Sequence, residues 1–193
     1  MIIECDTDRF INEVIKGNEY SFALKDLVVV DVGCNIGTFS FWIHSIAKEV
    51  HAIDLSQENI DLLKKNIQIN TLSNIFTYCM GISDTTGIKT VNKDGEAGGG
   101  GWKLGEGKDT IPTMSLNDFL TVHDIRKVDL LKVDVEGEEI NIIASNSFPY
   151  KKIRTICGEF HQQGEKKDTL RNTLEEYGYT WTEYPGNHFL ARL

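Results

Sequence analysis

The sequence lacks an excess of positive charge. Its 193 residues include 20 lysines and arginines against 29 aspartates and glutamates, which gives a formal net charge of −9. Nucleic acids and anionic membrane surfaces attract proteins through a basic field, so this balance argues against both as general partners. No apolar run approaches the length of a membrane span. We therefore expect neither a nucleic-acid partner nor a membrane partner.

Cysteine is also scarce, and its positions are scattered. Cys5, Cys34, Cys79 and Cys157 form no Cys-x-x-Cys pair, and no histidine lies at the spacing of a zinc site. The first residues carry an early acid, Glu4, and none of the apolar core of a secretory signal. These absences predict a reduced, cytoplasmic compartment.

Internal repeats and composition breaks that would mark a domain boundary are missing as well. The length suits one domain that buries a core without disulfides. We predict a single domain over residues 1–193, with a short N-terminal lead over 1–27 and a glycine-rich loop over 93–109. A weak amphipathic pattern predicts a helix over 8–16, and the short lead leaves little room for a separate substrate-recognition domain.

The most informative stretch of the chain runs from residue 28 to residue 39. An apolar, β-branched run ends in Asp31-x-Gly33-x-Asn35-x-Gly37, and a helix-compatible segment follows at once. This order predicts a buried parallel strand, a tight glycine turn and the start of a helix. Glycine allows positive φ and close approach of a ligand to the backbone. The N–H groups of the new helix favour an anion or a carboxylate.

A second strand over residues 50–54 adds to this turn. Its last residue, Asp54, lies roughly 20 residues beyond the glycine turn, where an acidic side chain can accept hydrogen bonds from a ribose diol. The two segments together predict one nucleoside-binding half of a doubly wound sheet.

The rest of the chain alternates between strand and helix patterns. Ser56 is placed to cap a helix over 57–70 whose core side chains are expected to be Ile60, Leu62, Leu63 and Ile67. Further strands are predicted over 75–82, 87–91, 112–116, 128–137 and 153–160, and further helices over 39–47, 116–122, 138–144 and 169–177. Pro185-Gly186-Asn187 predicts a C-terminal hairpin between residues 179–184 and 188–193.

This pattern predicts an α/β fold. We expect a Rossmann-like, seven-stranded and mostly parallel sheet with helices on both faces and the C-terminal antiparallel hairpin at one end. Ligands of such sheets bind at the carboxyl ends of the strands. The polar residues at those ends are therefore expected to converge on one crevice: Asp31, Asp54, Asp134, Glu136, Glu159 and His161.

An acidic crevice suits a cofactor that carries positive charge on its reactive atom. Buried carboxylates also need partners, and Lys132 has the same strand parity as Asp134. We therefore expect Lys132 to be one such partner.

Several segments resemble one enzyme family. Asp31-Val32-Gly33-Cys34-Asn35-Ile36-Gly37 resembles the first motif of class I S-adenosylmethionine (SAM) methyltransferases. The segments 131–139, with Lys-x-Asp-x-Glu-Gly-x-Glu, 66–70 and 158–161 resemble motifs of the FkbM-type subgroup, and the resemblance covers residues 28–161. The sequence departs from the family where Leu55-Ser56 follows Asp54, since the family commonly shows Glu-Pro there.

The resemblance implies a SAM-dependent methyltransferase that acts on an oxygen of a sugar or another small hydroxylated metabolite. Asp31 would anchor the amino-acid end of the cofactor through the turn, Asp54 would hold the ribose hydroxyls, and residues 80–82 would flank the adenine ring. The implied cofactor-binding set is Asp31, Gly33, Cys34, Asn35, Gly37, Asp54, Leu55, Met80, Gly81 and Ile82.

A hydroxyl acceptor needs a group that takes its proton. The candidates are Asp134, Glu136, Glu159 and His161. Histidine has the ordinary pKa closest to neutral pH, so we select His161 as the base, with Glu159 or Asp134 orienting it or the substrate. An alternative, which is not the expected one, is that the same four groups hold Mg²⁺ or another hard divalent cation. The other histidines, His44, His51, His123 and His188, are expected to be ordinary core or surface residues.

Other interpretations stay open at this point. The glycine-rich loop could cover the crevice and let Trp102 stack on a sugar ring, or it could be a passive surface excursion. A catalytically inactive nucleoside-binding module is an alternative function. An NAD-dependent oxidoreductase is disfavoured, because Asn35 occupies the position where a pyrophosphate-binding turn has its second glycine. The sequence does not identify the acceptor or the oligomeric state.

Overall fold

The computed structural model describes residues 25–93, 102–105, 107–162 and 164–193. The helix predicted over 8–16, most of the N-terminal lead and most of the glycine-rich loop lie outside these residues. The strands are β1 (Leu27–Val32), β2 (Ala47–Asp54), β3 (Ile75–Cys79), β4 (Gly81–Ser83), β5 (Gly87–Asn92), β6 (Lys103–Leu104), β7 (Asp109–Ser115), β8 (Leu130–Val133), β9 (Thr155–Glu159), β10 (Thr180–Tyr184) and β11 (His188–Arg192). The helices are α1 (Thr38–Ile43), α2 (Gln57–Ile69), α3 (Leu116–Val122), α4 (Glu139–Ile143) and α5 (Glu165–Glu176), with a 3₁₀ turn at Tyr150–Lys152.

Seven strands form the main sheet, in the order β10-β11-β9-β8-β1-β2-β3. The pairs β9–β8, β8–β1, β1–β2 and β2–β3 are parallel, while β11 runs antiparallel to both of its neighbours. The last hairpin thus inserts one antiparallel strand into a parallel sheet. This confirms the predicted α/β class, the seven strands and the C-terminal hairpin.

Two apolar layers cover the two faces of this sheet. Side chains alternate between faces along a strand, so Val30 and Val32 of β1 join one core cluster and Val29 joins the other. The first cluster is built around Phe119 and Phe160, and α1 and α2 supply much of the second. Among the described residues, none of the helices combines the length and apolar character that crossing a membrane requires.

Helix α2 begins where its cap was predicted. The Ser56 hydroxyl accepts a hydrogen bond from the Asn59 N–H at 3.3 Å. Ile60 and Leu63 are fully buried, as expected. The prediction for Leu62 was wrong, because this side chain turns away from the sheet and is 44% exposed. Consecutive residues of an α-helix point in directions about 100° apart, so Leu62 does not share the direction of the buried Leu63. The apolar character of Leu62 alone therefore does not place it in the core.

A second, four-stranded sheet with the order β4-β7-β5-β6 was not predicted. The strand expected over 75–82 ends at Cys79 in the main sheet, and β4 begins at Gly81 in the second sheet. Between them the Met80 N–H donates to the carbonyl oxygen of Asp54 at 3.0 Å. The chain changes sheets at this residue, directly beside the carboxyl end of β2.

Several element boundaries also differ from the predicted ones. The helix expected over 39–47 ends at Ile43, because β2 already begins at Ala47. The central strand expected over 128–137 is regular only from Leu130 to Val133, and a tight turn follows it. Helix α5 begins at Glu165 instead of residue 169, since its first turn is polar and carries no apolar period.

Candidate active site

A cleft opens at the carboxyl ends of β1, β2 and β8, between the main sheet and the second sheet. It encloses about 760 Å³, including the space open to solvent at its mouth. Its floor includes Gly33, Asn35, Asp54, Ser56 and Asn59. The strand order β8-β1-β2-β3 separates two ends of the lining: an apolar end that follows β2 and β3, with Leu55, Met80, Gly81, Trp102 and Leu104, and an acidic end that follows β8, with Asp134 and Glu136. Ile82 and Glu138 also line the cleft, and Ser83, next to Ile82, donates a hydrogen bond to Glu138 at 3.2 Å.

The glycine turn after β1 is shaped by its protein neighbours. Gly33 has φ 77°, and a Cβ there would lie 1.8 Å from the carbonyl oxygen of Asp134. Gly37 has φ 90°, and a Cβ there would lie 2.3 Å from the Leu63 side chain. The positive φ expected at both glycines is confirmed, and a second reason for glycine, which the sequence analysis did not include, lies in the protein itself. Glycine is required because the end of β8 and helix α2 come this close to the turn.

The Asp54 carboxylate fixes the other side of the turn. It accepts hydrogen bonds from the Asn35 N–H at 2.8 Å, the Ser56 N–H at 2.8 Å and the Asn59 side-chain amide at 3.1 Å. Asn35 holds a left-handed conformation with φ 50°. A carboxylate offers about four acceptor positions, so Asp54 keeps capacity for one further donor from the cleft.

Three of the predicted cofactor-binding residues lie outside the cleft lining. Cys34 and Asp31 are buried beneath the turn, and Gly37 faces α2. Asp31 accepts a hydrogen bond from the Ser40 hydroxyl at 2.6 Å and pairs with Lys132 at 3.2 Å. The side chain of Asp31 thus supports the turn from below.

Lys132 is buried and ties three groups together. Its ammonium donates to the carbonyl oxygen of Gly33 at 2.8 Å and lies 3.2 Å from Asp31 and 3.5 Å from Asp134. Although burial alone lowers the pKa of Lys132, the carboxylates of Asp31 and Asp134 raise it above its usual range. The predicted pairing of Lys132 with Asp134 is confirmed, and the ion pair links the acidic end of the cleft to the turn.

The four predicted catalytic side chains come together at the acidic end. His161 Nε2 lies 3.7 Å from Glu136, 3.9 Å from Asp134 and 4.0 Å from Glu159. Each of these side chains is between one fifth and about one third exposed. Asp134 and Glu136 line the cleft itself, whereas His161 and Glu159 are not among its lining residues and adjoin it through their contacts with these carboxylates.

Sequence reasoning missed the residue that orients His161. Glu139, in the first turn of α4, is fully buried and accepts the Nδ1–H of His161 at 2.8 Å. Its same oxygen accepts the N–H groups of Val135 and Gly137, each at 3.2 Å. This contact leaves Nε2 facing the cleft carboxylates. The Lys-x-Asp-x-Glu-Gly-x-Glu segment contains Glu139, but only the fold shows that its side chain turns back toward His161.

The charge of His161 differs from the sequence-based expectation. The hydrogen bond to Glu139, and then the neighbouring carboxylates, raise the pKa of His161 to about 9, against the opposing effect of burial. His161 was selected because an ordinary imidazole titrates close to neutral pH, and that reason does not hold in this environment. This shift favours the protonated imidazole at neutral pH and the neutral, proton-accepting form in alkaline solution.

The same cluster bears on the metal alternative. One oxygen each of Asp134 and Glu159 and one ring nitrogen of His161 all lie within 4.8 Å of one another. Binding a cation there would first require the Nε2 proton of His161 to leave. The donor set therefore fits either a proton-handling role or a cation site, and cation binding would release this proton.

The apolar end joins the two sheets. A Cβ on Gly81 would lie 3.0 Å from Leu55 and 3.1 Å from Leu104, so these two leucines converge on the backbone of β4. Trp102 packs against the same cluster and borders the cleft. This places Trp102 at the end of the cleft opposite the acidic cluster. Ser56, Asn59, Leu104 and Glu138 are further lining residues that the sequence analysis did not include in the site.

Of the remaining histidines, His188 lies next to the acidic cluster, with its Nε2 3.9 Å from Glu159, whereas His51 and His123 lie among the aromatic rings of the core. His51 is buried and stacks on Phe76 and Tyr78, and its Nδ1 lies 2.9 Å from the Tyr78 hydroxyl. His123 packs against Tyr78 as well. His188 Nδ1 donates to the carbonyl oxygen of Pro185 at 2.9 Å. None of these three borders the described cleft.

A family model and two curated proteins match the sequence of this chain. The model of the methyltransferase FkbM domain matches residues 31–180. A hexuronic acid methyltransferase, AglP, from Haloferax volcanii is 27% identical over 150 residues, which are 77% of this chain and 62% of that protein. A protein named an uncharacterized RNA methyltransferase from Oceanobacillus iheyensis is 38% identical over 60 residues, which are 31% of this chain and 13% of that protein.

Solved structures share the fold at low sequence identity. Methyltransferase FkbM from Methylobacillus flagellatus KT has a TM-score of 0.58 at 16% identity, over 87% of this chain and 44% of that chain. Magnesium protoporphyrin IX methyltransferase from Synechocystis PCC 6803, solved with bound SAM, has a TM-score of 0.60 at 14% identity, over 96% and 79%. The chain thus spans less than two thirds of the length of AglP and of the M. flagellatus protein.

Proposed function

The chain belongs to the methyltransferase FkbM domain family, and from that premise we propose that it transfers a methyl group from SAM to a hydroxyl oxygen of a sugar or another small hydroxylated metabolite. The observation that carries the proposal is the polarity of the cleft. Asp54 lies on the floor, an apolar end lies to one side of it, and an acidic end with His161 behind it lies to the other.

The lining residues fit SAM in chemical type. Leu55, Met80 and Ile82 offer apolar contact to a nucleobase, and Asp54 keeps acceptor capacity for a ribose hydroxyl. The carboxylates of Asp134 and Glu136 suit a positively charged sulfonium and amine. SAM, when bound, would supply a methyl group on a cationic sulfur, and an acceptor oxygen in line with the carbon–sulfur bond would take this methyl group. A fold relative solved with SAM bound supports this cofactor.

The residues of the acidic end would prepare the acceptor. Carboxylates accept hydrogen bonds from hydroxyls, so Asp134 and Glu136 can orient a polyhydroxylated molecule beside the cleft floor. His161 Nε2 faces them and takes the hydroxyl proton, while Glu139 holds Nδ1–H and stabilises the imidazolium that results. Orientation and a positioned base are the two contributions that methyl transfer to an alkyl hydroxyl needs.

The chemistry of the cleft supports a sugar-like acceptor over RNA. AglP is named for its action on a hexuronic acid, and it matches most of this chain. The relative named for RNA matches 60 residues only. An RNA acceptor would bring phosphates toward several carboxylates and a protein of net charge −9, which is unfavourable.

Calorimetric titration tests the cofactor part of this proposal. We expect the protein to bind S-adenosylhomocysteine (SAH) and SAM and to show no binding of NADH at matched concentration. An inactive module would bind SAH as well, so the transfer itself must be measured separately. Binding of NADH in place of SAH would reject the methyltransferase assignment and favour the oxidoreductase alternative.

A further inference from the structure

The second sheet borders the cleft through Gly81 and Ile82 of β4 and, at the apolar end, through Leu104 of β6, with Trp102 just before that strand. Trp102 and Leu104 border the cleft there, on the opposite side of Asp54 from Asp134 and Glu136. Leu104 belongs to β6, a strand of two residues that pairs with β5 through Val91 and Asn92. Strand β6 and the residue before it therefore form one of two parts of the second sheet that reach the cleft, and β4 forms the other.

The apolar side chains at this end of the cleft pack closely together. Leu55 follows Asp54 directly, and a Cβ on Gly81 would lie about equally close to Leu55 and Leu104, at 3.0 and 3.1 Å. Leu104 is buried, and it clusters with Val91 and Ile111 beneath Trp102. Buried side chains thus support the apolar end of the cleft from below, and the indole ring of Trp102, which packs on them, is partly exposed.

The orientation of Trp102 is held by charged groups outside the lining. The Lys93 ammonium lies 5.2 Å from the centre of the indole ring, and Lys93 pairs with Asp109 at 3.3 Å. Lys93 covers one face of the ring and does not border the cleft. Trp102 itself is a lining residue and is partly exposed. A large aromatic face beside an apolar floor is the kind of surface on which nucleobases stack.

From this geometry we propose that Trp102 is the stacking wall for the nucleobase of the cofactor, with Leu104 supporting it, and that the second sheet thereby sets cofactor affinity. The inference rests on the proposed function, because it takes SAM as the occupant. It differs from the expectation that Trp102 contacts a sugar acceptor, since the acidic cluster lies at the other end of the cleft. Trp102 and Met80 would hold the purine ring at the apolar end, and Asp54 would accept a hydrogen bond from the ribose.

Binding and fluorescence measurements on Trp102 variants test the inference. Loss of a base-stacking ring typically weakens binding by roughly 5-fold to 150-fold, so Trp102→Ala should lower the affinity for SAH by at least about fivefold. The affinity for adenosine should fall by a similar factor, because both ligands carry the same base. Trp102→Phe, which keeps a ring, should bind SAH within about threefold of the wild type.

Fluorescence separates stacking from damage to the fold. SAH should quench the tryptophan emission of the wild type, and Trp102→Phe should lose this quenching while it still binds. Trp181 stacks on Phe189 at 4.6 Å on the edge hairpin of the main sheet, so Trp181→Phe is the matched control and should keep both affinity and quenching. Equal SAH affinity in Trp102→Ala and the wild type, or quenching that persists in Trp102→Phe, would overturn the inference. Wild-type protein that fails to bind SAH at all would instead reject the proposed function, and this inference with it.

Discussion

At the scale of single residues, the contact between His161 and Glu139 decides how the proposed base works. A buried carboxylate that accepts Nδ1–H fixes the imidazole and makes its proton harder to lose. A pKa of about 9 leaves roughly one His161 in a hundred neutral at pH 7. The base would be strong once deprotonated, and it would work best in alkaline solution.

This contact predicts the pH dependence of methyl transfer. Only the neutral imidazole accepts a proton, so kcat of the wild type should rise with pH, reach half of its maximum near pH 9 and level off above that pH. Glu139→Gln removes the charge but keeps an acceptor for Nδ1–H, so the rising limb should move roughly 1–3 pH units lower. The measurement is kcat against pH with saturating cofactor.

A remote variant controls for the loss of one negative charge. Glu175 lies on α5, is 41% exposed and pairs with Arg171, so Glu175→Gln should leave the limb in place. If kcat of Glu139→Gln still rose near pH 9, a group other than His161 would take the proton. If His161→Ala kept the full kcat and the same dependence of kcat on pH, Glu159 or Asp134 would be the group that takes the hydroxyl proton. Activity lost to EDTA and restored by a divalent cation would favour the metal alternative.

Asp54 gives a second prediction at this scale. Asp54→Ala should weaken SAH binding by about 1–3 kcal/mol, because the ligand loses hydrogen bonds to a charged group. The variant also frees the N–H groups of Asn35 and Ser56, so part of the loss reflects a looser turn. Asp54→Asn keeps acceptor capacity and should fall between the wild type and Asp54→Ala by calorimetry. An affinity that does not change in either variant would remove Asp54 from the cofactor site.

At the scale of elements, the ion pair between Asp31 of β1 and Lys132 of β8 joins the two central strands beneath the cleft. Both side chains are almost fully buried. Lys132→Met leaves the Asp31 carboxylate without its cation, and this should lower the free energy of unfolding by about 3–5 kcal/mol. Urea unfolding followed by circular dichroism measures the change.

Two further variants make this test specific. Asp31→Asn combined with Lys132→Met should recover much of the loss, because no uncompensated charge stays buried. Lys127 forms an exposed pair with Asp129 at 3.7 Å, so Lys127→Met should change the stability by less than about 1 kcal/mol. If Lys132→Met were as mild as Lys127→Met, the buried pair would not be what holds β1 and β8 together at the turn.

Elements with strong local signals were predictable from the sequence. The β-branched run of β1, the Ser56 cap of α2 and the turn at Pro185-Gly186-Asn187 each follow from local chemistry. The second sheet was missed because β4 has three residues and β6 has two, which is too short for a period to appear. Its strands are defined by pairing with β5 and β7, and such non-local contacts leave little trace in the sequence.

The sequence predicts those site residues that lie at the carboxyl ends of parallel strands, and it does not predict the others. Asp54, Asp134 and Glu136 follow parallel strands, and they line one cleft because the carboxyl ends of those strands meet at one edge. Asp31 has the same strand-end position in the sequence, yet its side chain points into the protein toward Lys132. Glu139 and Trp102 come from a helix and from the second sheet, so their approach to the cleft depends on tertiary packing that no local pattern records.

At the scale of the whole molecule, the cleft is shared between two sheets with different chemistry. The main sheet supplies the turn, Asp54 and the acidic end, and the second sheet supplies Trp102 and Leu104 at the apolar end. A molecule that bridges the cleft therefore presents an apolar ring to one sheet and a cationic or hydroxylated group to the other. SAM beside a hydroxylated acceptor has this distribution.

The transfer of labelled methyl groups from SAM tests the central claim most directly. Wild-type protein is incubated at pH 9 with methyl-labelled SAM and a panel of neutral sugars, hexuronic acids and polyols, and an RNA sample is run in parallel. We predict label in a hydroxylated small molecule with stoichiometric SAH and none in RNA. His161→Ala should lower the rate by roughly 10²–10⁴-fold, while His123→Ala, which changes a histidine away from the cleft, should keep it. SAH binding without label in any acceptor of the panel, or label in RNA alone, would contradict the account.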